Sequence, residues 1–207
     1  MTINVRRLRG SPSQPNATCL LAIVARRRRT AHTCKAAGFT LIELMAVLTV
    51  AVVLLMVAVP SFQAMLRTNR IAALTNELTT ALQYARSEAV SRGAQVTLCK
   101  SADTADSTPT CQASAKWQDG WIVFVDNNGN GNLDGADAPL KIGQPSAVGA
   151  VIDGATNFGE YIRFLPSGQS AGSTGPNGTL SICIAPDQRS IILNNVGRLR
   201  VDRGTCT

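Results

Sequence analysis

The sequence predicts an α+β fold, with one long N-terminal helix packed on a small antiparallel β-sandwich. Three observations carry this expectation. Residues 39–59 form an apolar run that holds a single charge, Glu43. From Ser61 to Arg92, apolar residues recur at three- and four-residue steps, the helical period. After Gly93 the period falls to two, and short apolar runs alternate with clusters of Gly, Pro, Asn and Ser. With 207 residues, the chain holds one globular domain plus appendages.

The first 38 residues carry eight basic side chains, Arg6, Arg7, Arg9, Arg26 to Arg29 and Lys35, and no acidic one. The formal charge of +7 therefore belongs to this stretch; the remainder has 12 basic and 13 acidic residues and a charge of −1. Residues 39–59 number 21, enough for a helix to cross a bilayer core of about 30 Å. By the positive-inside rule the basic stretch stays in the cytoplasm, and the domain after the apolar run faces the periplasm or exterior. A secretory signal peptide would have a shorter apolar region with the small residue behind it. Here Gly38 stands in front. Glu43 sits within the run's first two turns, where an ionised carboxylate needs a partner or a function.

Pro60 is expected to kink the helix, since proline removes one backbone hydrogen bond. Beyond it, Ile71, Leu74, Leu78, Ala81, Leu82, Ala85 and Ala89 form the apolar stripe and Gly93 the C-cap. Strands are expected at 94–99, 121–125, 140–142, 161–164, 179–185, 190–193 and 198–201. Of these, 121–125 is apolar on both faces and so central. The segments 100–118 and 167–178 read as a polar loop and a mobile turn.

Gly38-Phe39-Thr40-Leu41-Ile42-Glu43-Leu44, with the apolar run behind it, resembles the class III signal of type IV prepilins and type II secretion pseudopilins. Gly120-Trp121-Ile122-Val123-Phe124 with its Asp/Asn/Gly turn, Phe164-Leu165-Pro166-Ser167-Gly168 and Gly197-Arg198-Leu199-Arg200 resemble the GspH/FimT family of minor pilins and pseudopilins. The resemblance spans Gly38 to the end and implies a type IV pilin-like fold. It further implies that a prepilin peptidase cuts between Gly38 and Phe39 and methylates the new amine of Phe39, and that Glu43 meets the N-terminal amine of a neighbouring subunit. The chain would then comprise a cleaved leader (1–38), a transmembrane half-helix (39–60), an amphipathic half-helix (61–93) and a β-rich periplasmic domain (94–207). The leader is long for this family, and a start at Val24 would give a more typical one. The implied place is the bacterial inner membrane, single-pass, and then a pilus or pseudopilus. The implied partners are other major or minor pilins or pseudopilins.

The cysteines divide in the same way. Cys19 and Cys34 lie in the leader; Cys99, Cys111, Cys183 and Cys206 lie in the exported part. Four cysteines allow three pairings. Closure of local loops favours Cys99–Cys111 and Cys183–Cys206, each contributing about 3 kcal/mol by loop entropy. The one histidine, His32, is in the leader. Without it, Ser-His-Asp, Cys-His and histidine-metal chemistry are excluded from the mature chain, which reads as a structural subunit and not an enzyme.

Two further segments are candidate sites. Asp126, Asn128, Asn130, Asp134 and Asp137 have the spacing of a Ca²⁺-binding EF-hand loop, with Gly131 at position 6. Position 12 is Asp rather than Glu, however, and no helix flanks the loop, so the segment reads first as a hairpin connection with Asn-Gly at the turn. No other cofactor is expected. Near the C-terminus, Arg189, Arg198, Arg200 and Arg203 face one acid, Asp202, a local charge of +3. On a strand, Arg198 and Arg200 share one face about 6.6 Å apart while Leu199 and Val201 turn inward. Such a row can meet successive DNA phosphates without sequence preference. It serves equally as a charged edge that discourages strand addition. The resemblance to FimT-type minor pilins implies DNA capture in natural transformation; the alternative within the family is protein export by type II secretion.

Overall fold

A computed structural model describes residues 38–146 and 149–206. The basic N-terminal stretch, with Cys19, Val24, His32 and Cys34, lies outside the described residues. The chain divides into two compact units, Met1–Met45 and Ala46–Thr207. The helix α1 (Leu41–Arg92) begins in the first and continues in the second.

In the first unit, Thr40 starts the helix. Its hydroxyl accepts the Glu43 N–H at 3.3 Å and its carbonyl accepts the Leu44 N–H at 3.1 Å. This capping satisfies donors that the first turn leaves unpaired.

In the second unit, α1 has two regimes. Residues 46–66 carry no charge, are apolar but for Thr49, Ser61 and Gln63, and none is buried. Many are valines, which favour helix only weakly in water. The α-helix runs on through Pro60. From Ile71 onward one face is the core, with Ile71, Leu74, Leu78, Ala81, Leu82, Ala85 and Ala89 all buried. The alanines let the helix lie close to the sheets. The buried Thr75 hydroxyl donates to the Ile71 carbonyl at 2.6 Å. Gly93, at φ +63°, ends the helix in the left-handed conformation that glycine adopts without strain.

Among the described residues nine strands follow: β1 (Val96–Lys100), β2 (Trp121–Val125), β3 (Ala138–Gly143), β4 (Val151–Asp153), β5 (Tyr161–Phe164), β6 (Ser170–Gly172), β7 (Gly178–Ile184), β8 (Asp187–Leu193) and β9 (Leu199–Thr205). They form a five-stranded sheet in the order β3-β2-β1-β5-β6 and a four-stranded sheet in the order β4-β7-β8-β9. All the pairings are antiparallel.

Helix and sheets share one core, which includes Val96, Leu98, Trp121, Val123, Phe158, Phe164, Leu180, Ile182, Ile191 and Leu193. The far face of the five-stranded sheet carries a second, smaller core of Cys99, Ile122 and Phe124, covered by Cys111, Leu133 and Tyr161. β1 and β2 are therefore buried on both faces although the sheet is antiparallel. The covering comes from the loops after β1 and β2.

Two strands form where none was expected, one of them inside the segment read as a mobile turn. β6 lies inside 167–178, and its Ser170 hydroxyl donates to the Pro176 and Asn194 carbonyls at 2.8 and 2.7 Å. β4 pairs with β7. Each is three residues long, too short to show a period. β6 is built of small residues, because the ring of Phe158 occupies the space that a Cβ on Gly172 or Gly178 would need.

Two arginines rivet the helix to the sheets at either end of β8. Arg67 pairs with Asp187, at the start of β8, at 2.9 Å. Arg86 donates to the Gly168 and Val196 carbonyls at 3.0 and 2.9 Å, just past its end. Sequence periodicity assigns both arginines to outer faces of the helix; their long stems let them reach back to the sheet edges.

Candidate functional site

Gly38 and Phe39 precede the helix in irregular backbone and are exposed. No heavy atom lies within 4 Å of a Cβ built on Gly38. Backbone this open can enter a peptidase cleft. Glu43 is exposed in the first turn, where a carboxylate is favoured by the helix dipole. Among the described residues it makes no ion pair.

Two disulfides join Cys99 to Cys111 and Cys183 to Cys206, with Cα atoms 5.6 and 6.1 Å apart. The first folds the loop after β1 over Ile122 and Phe124. Inside that loop Asp103 accepts from the Ser101 hydroxyl at 2.6 Å and from the Thr110 N–H and hydroxyl at 2.9 and 2.7 Å. Partial burial pushes its carboxyl up, but these donors outweigh that and bring its pKa down to about 2. The second disulfide fastens the end of β9 beside the β7–β8 turn, where the Cys206 N–H donates to the Pro186 carbonyl at 2.9 Å.

The 126–137 loop joins β2 to antiparallel β3, the hairpin arrangement. Its acidic groups do not converge on a cation. Asp126 is buried and points inward. It accepts from Thr97 Oγ1 at 2.7 Å and from the N–H groups of Gly129, Asn130 and Gly131 at 2.7, 3.2 and 3.1 Å, and it pairs with Arg163 at 3.3 Å. Asp134 accepts the amides of Asn128 and Asn130 at 2.7 and 3.0 Å, which hold its carboxyl below the usual range. Asp137 accepts the Asn127 and Asp134 N–H groups at 2.9 and 3.2 Å. A Ca²⁺ site needs six to eight free oxygens around one point. Here the oxygens are spent on donors, and the residues do not fit the ion. Among the described residues no cluster of His, Cys, Asp and Glu is placed to hold a metal. Sequence reading missed Arg163 and Thr97, which partner Asp126 from β5 and β1. The one hint was the charge of Arg163 on the face of β5 opposite the buried Ile162 and Phe164.

The four C-terminal arginines do not form one surface. Residues paired directly across β8 and β9 share a face. Leu193 pairs with Leu199, Ile191 with Val201 and Arg189 with Arg203, and this set faces the helix side. Arg200 pairs with Ile192 on the opposite, outer face, and Arg198 falls on that face too. Arg198 and Arg200 line an open groove with Ile192 and Asn194. Arg200 is paired with Asp202 at 2.8 Å. Arg198 and Arg200 thus share one face as expected, while Arg189 and Arg203, the other two arginines expected to meet DNA, lie on the opposite one, because a strand reverses side-chain direction at every residue. Leu199 turns inward as expected, but Val201 remains 41 % exposed, since β9 is the sheet edge and extends past the shared core.

Comparison with known proteins agrees with this architecture. Residues 74–197 match the family model described as type II transport protein GspH. Residues 34–59 match the prokaryotic N-terminal methylation motif. No curated protein matches the chain significantly. Among solved structures, the type IV minor pilin FimU of Pseudomonas aeruginosa is similar at 22 % identity and a TM-score of 0.50, over 65 % of this chain and 90 % of that one. The minor pseudopilin EpsH of the Vibrio cholerae type 2 secretion system is similar at 14 % identity and a TM-score of 0.43, over 64 % and 96 %. The chain belongs to the GspH family, the structural pilins and pseudopilins of type IV pili and type II secretion systems, which are not enzymes.

Proposed function

We propose that this chain is a minor pilin of a type IV pilus, cut between Gly38 and Phe39, N-methylated on Phe39, and inserted into the filament through the first half of α1. One observation carries the reading. An apolar helix segment with no buried residue continues into the helix that forms the core of the β domain. Such a segment is stable only inside lipid or against other helices. Residues 1–38 are the cytoplasmic leader, 39–60 the membrane half, 61–93 the amphipathic half and 94–207 the periplasmic domain. Glu43 sets register by meeting the amine of a neighbouring subunit's Phe39. A buried charge without its partner is costly, so only the paired register is populated. The test is Glu43→Val. The variant should stay in the membrane, since the anchor becomes more apolar, but should be lost from sheared filaments. Normal incorporation would show that the charge has no assembly role.

A second element of the reading is weak, sequence-independent DNA contact through Arg198 and Arg200. It is favoured by their shared exposure on the outer face of the edge strand β9. With Arg189 and Arg203 on the other face, two phosphate contacts remain. They give a log–log salt slope of about −2 and an affinity in the non-specific range, roughly 10⁻⁴ to 10⁻⁶ M. In a mobility-shift titration of the full chain in detergent, Arg198→Gln with Arg200→Gln should abolish the shift at low salt. An unchanged shift removes this contact. Deletion that abolishes protein secretion and spares transformation would place the chain in a type II secretion pseudopilus instead.

A further inference from the structure

Arg189 and Arg203 stand directly opposite each other on β8 and β9, on the face that turns toward α1. Directly opposed residues of antiparallel strands have Cβ atoms about 5 Å apart, and like charges there are destabilising. Among the described residues neither arginine makes an ion pair. The nearest acid along the strand face is Asp187, two residues before Arg189, and Arg67 already holds it at 2.9 Å. Arg67 thus holds the one carboxylate on that strand face, and Arg189 and Arg203 are left without one.

Their place along the helix gives this excess its meaning. Arg67 is the first charged residue after Glu43. On the membrane reading residues 39–60 lie in the bilayer, and Arg67, seven residues past Pro60, stands about 10 Å beyond it at 1.5 Å per residue. Phe62 and Met65 are more than 60 % exposed, so apolar contact surface continues up to the turn that carries Arg67. In a membrane-anchored chain, Arg67 then stands beside the headgroup layer rather than in the hydrocarbon. The Arg67–Asp187 pair brings the start of β8, with Arg189 and Arg203 beside it, to the same level.

We propose that Arg67, Arg189 and Arg203 form a cradle for the phosphate of an anionic phospholipid in the leaflet from which α1 emerges. The inference rests on the membrane reading of the helix. A phosphate between Arg189 and Arg203 turns a repulsive pair into two charge-assisted contacts. The half-exposed Val201 on the same face supplies apolar contact for the lipid's glycerol and upper chain. That apolar neighbour favours a lipid over a nucleic acid. The outer arginines share their face with Ile192, Asn194, Ser190 and Thr179, and Arg200 is already paired with Asp202. The cradle ties the β domain to the membrane surface before the subunit is withdrawn into a filament, and extraction must break it.

The test uses the full chain in nanodiscs of phosphatidylcholine alone or with phosphatidylglycerol added, read by amide hydrogen exchange over β8 and β9. Phosphatidylglycerol should slow exchange of β9 by about fivefold for each engaged arginine. Arg189→Gln with Arg203→Gln should erase the difference between the two discs, whereas Arg198→Gln with Arg200→Gln should keep it. The inner double variant relieves repulsion, so it should melt no lower than the parent in phosphatidylcholine, which separates lost binding from lost folding. Equal exchange in the two discs overturns the proposal while leaving the anchor intact. A chain that enters neither disc overturns the anchor reading and the cradle with it. Equal protection by inorganic phosphate, or by a short DNA duplex, in phosphatidylcholine discs also overturns it, by assigning the arginines to another anion.

Discussion

Residues 46–66 and 67–92 belong to the same helix and are equally helical, yet they solve the burial problem in opposite ways. The second segment turns one face onto its own sheets and keeps charges on the others. The first carries no charge and, among the described residues, buries none of its side chains. The stabilising free energy resides within the subunit for one half and, on the proposed reading, in lipid or neighbouring subunits for the other. Fully burying a leucine contributes about 1.5–3 kcal/mol, so the uncovered half holds a large driving force that only assembly or insertion can realise.

Substitution of matched leucines breaks or sharpens this contrast most strongly. Leu82→Ala should destabilise the β domain by about 2–5 kcal/mol through loss of contacts and a residual cavity. Leu54→Ala, in the uncovered half, should leave thermal unfolding of that domain unchanged. Near-UV circular dichroism melts of the two variants in the same detergent make the comparison. Equal losses would mean that the first half also packs on the domain.

The smallest effect expected is at Asp103. Its carboxyl has a folded pKa of about 2 against an ordinary 3.8. A depressed folded value means that the carboxylate stabilises the loop above pH 3.8, and that this contribution disappears as pH falls toward 2. The group is mostly exposed, so solvent screens it and the change in global stability is small. Side-chain carboxyl NMR should give a midpoint near 2, with the Thr110 amide losing protection through the same range. A midpoint near 3.8 would show that the Ser101 and Thr110 bonds do not persist in solution.

The sequence made the helix and the interior strands legible for physical reasons. The apolar run and the Ile71-to-Ala89 stripe are sustained patterns, and β2 and β5 occupy the stretches their composition marks. Both disulfides close loops that are local in sequence. What could not be read depended on partners far away along the chain. Asp126 has the spacing of a cation ligand, and only Thr97 and Arg163, on two other strands, reveal that it is an internal acceptor. The arginines after position 188 read as one basic cluster because composition ignores which side of a strand each occupies. Their division follows from the register that places Arg189 against Arg203. The short strands β4 and β6 depend on pairing and on room for Phe158, not on any period of their own.

The account stands on the claim that Gly38 and Phe39 mark the boundary between a discarded leader and a mature filament subunit. N-terminal peptide mass spectrometry of the chain isolated from bacterial membranes tests this most directly. The expected first residue is N-methylated Phe39, with Gly38→Leu leaving the leader attached, because a bulky side chain takes the place of the open backbone ahead of the helix. A mature chain that begins elsewhere, or that keeps residues 1–38 in the wild type, would contradict it.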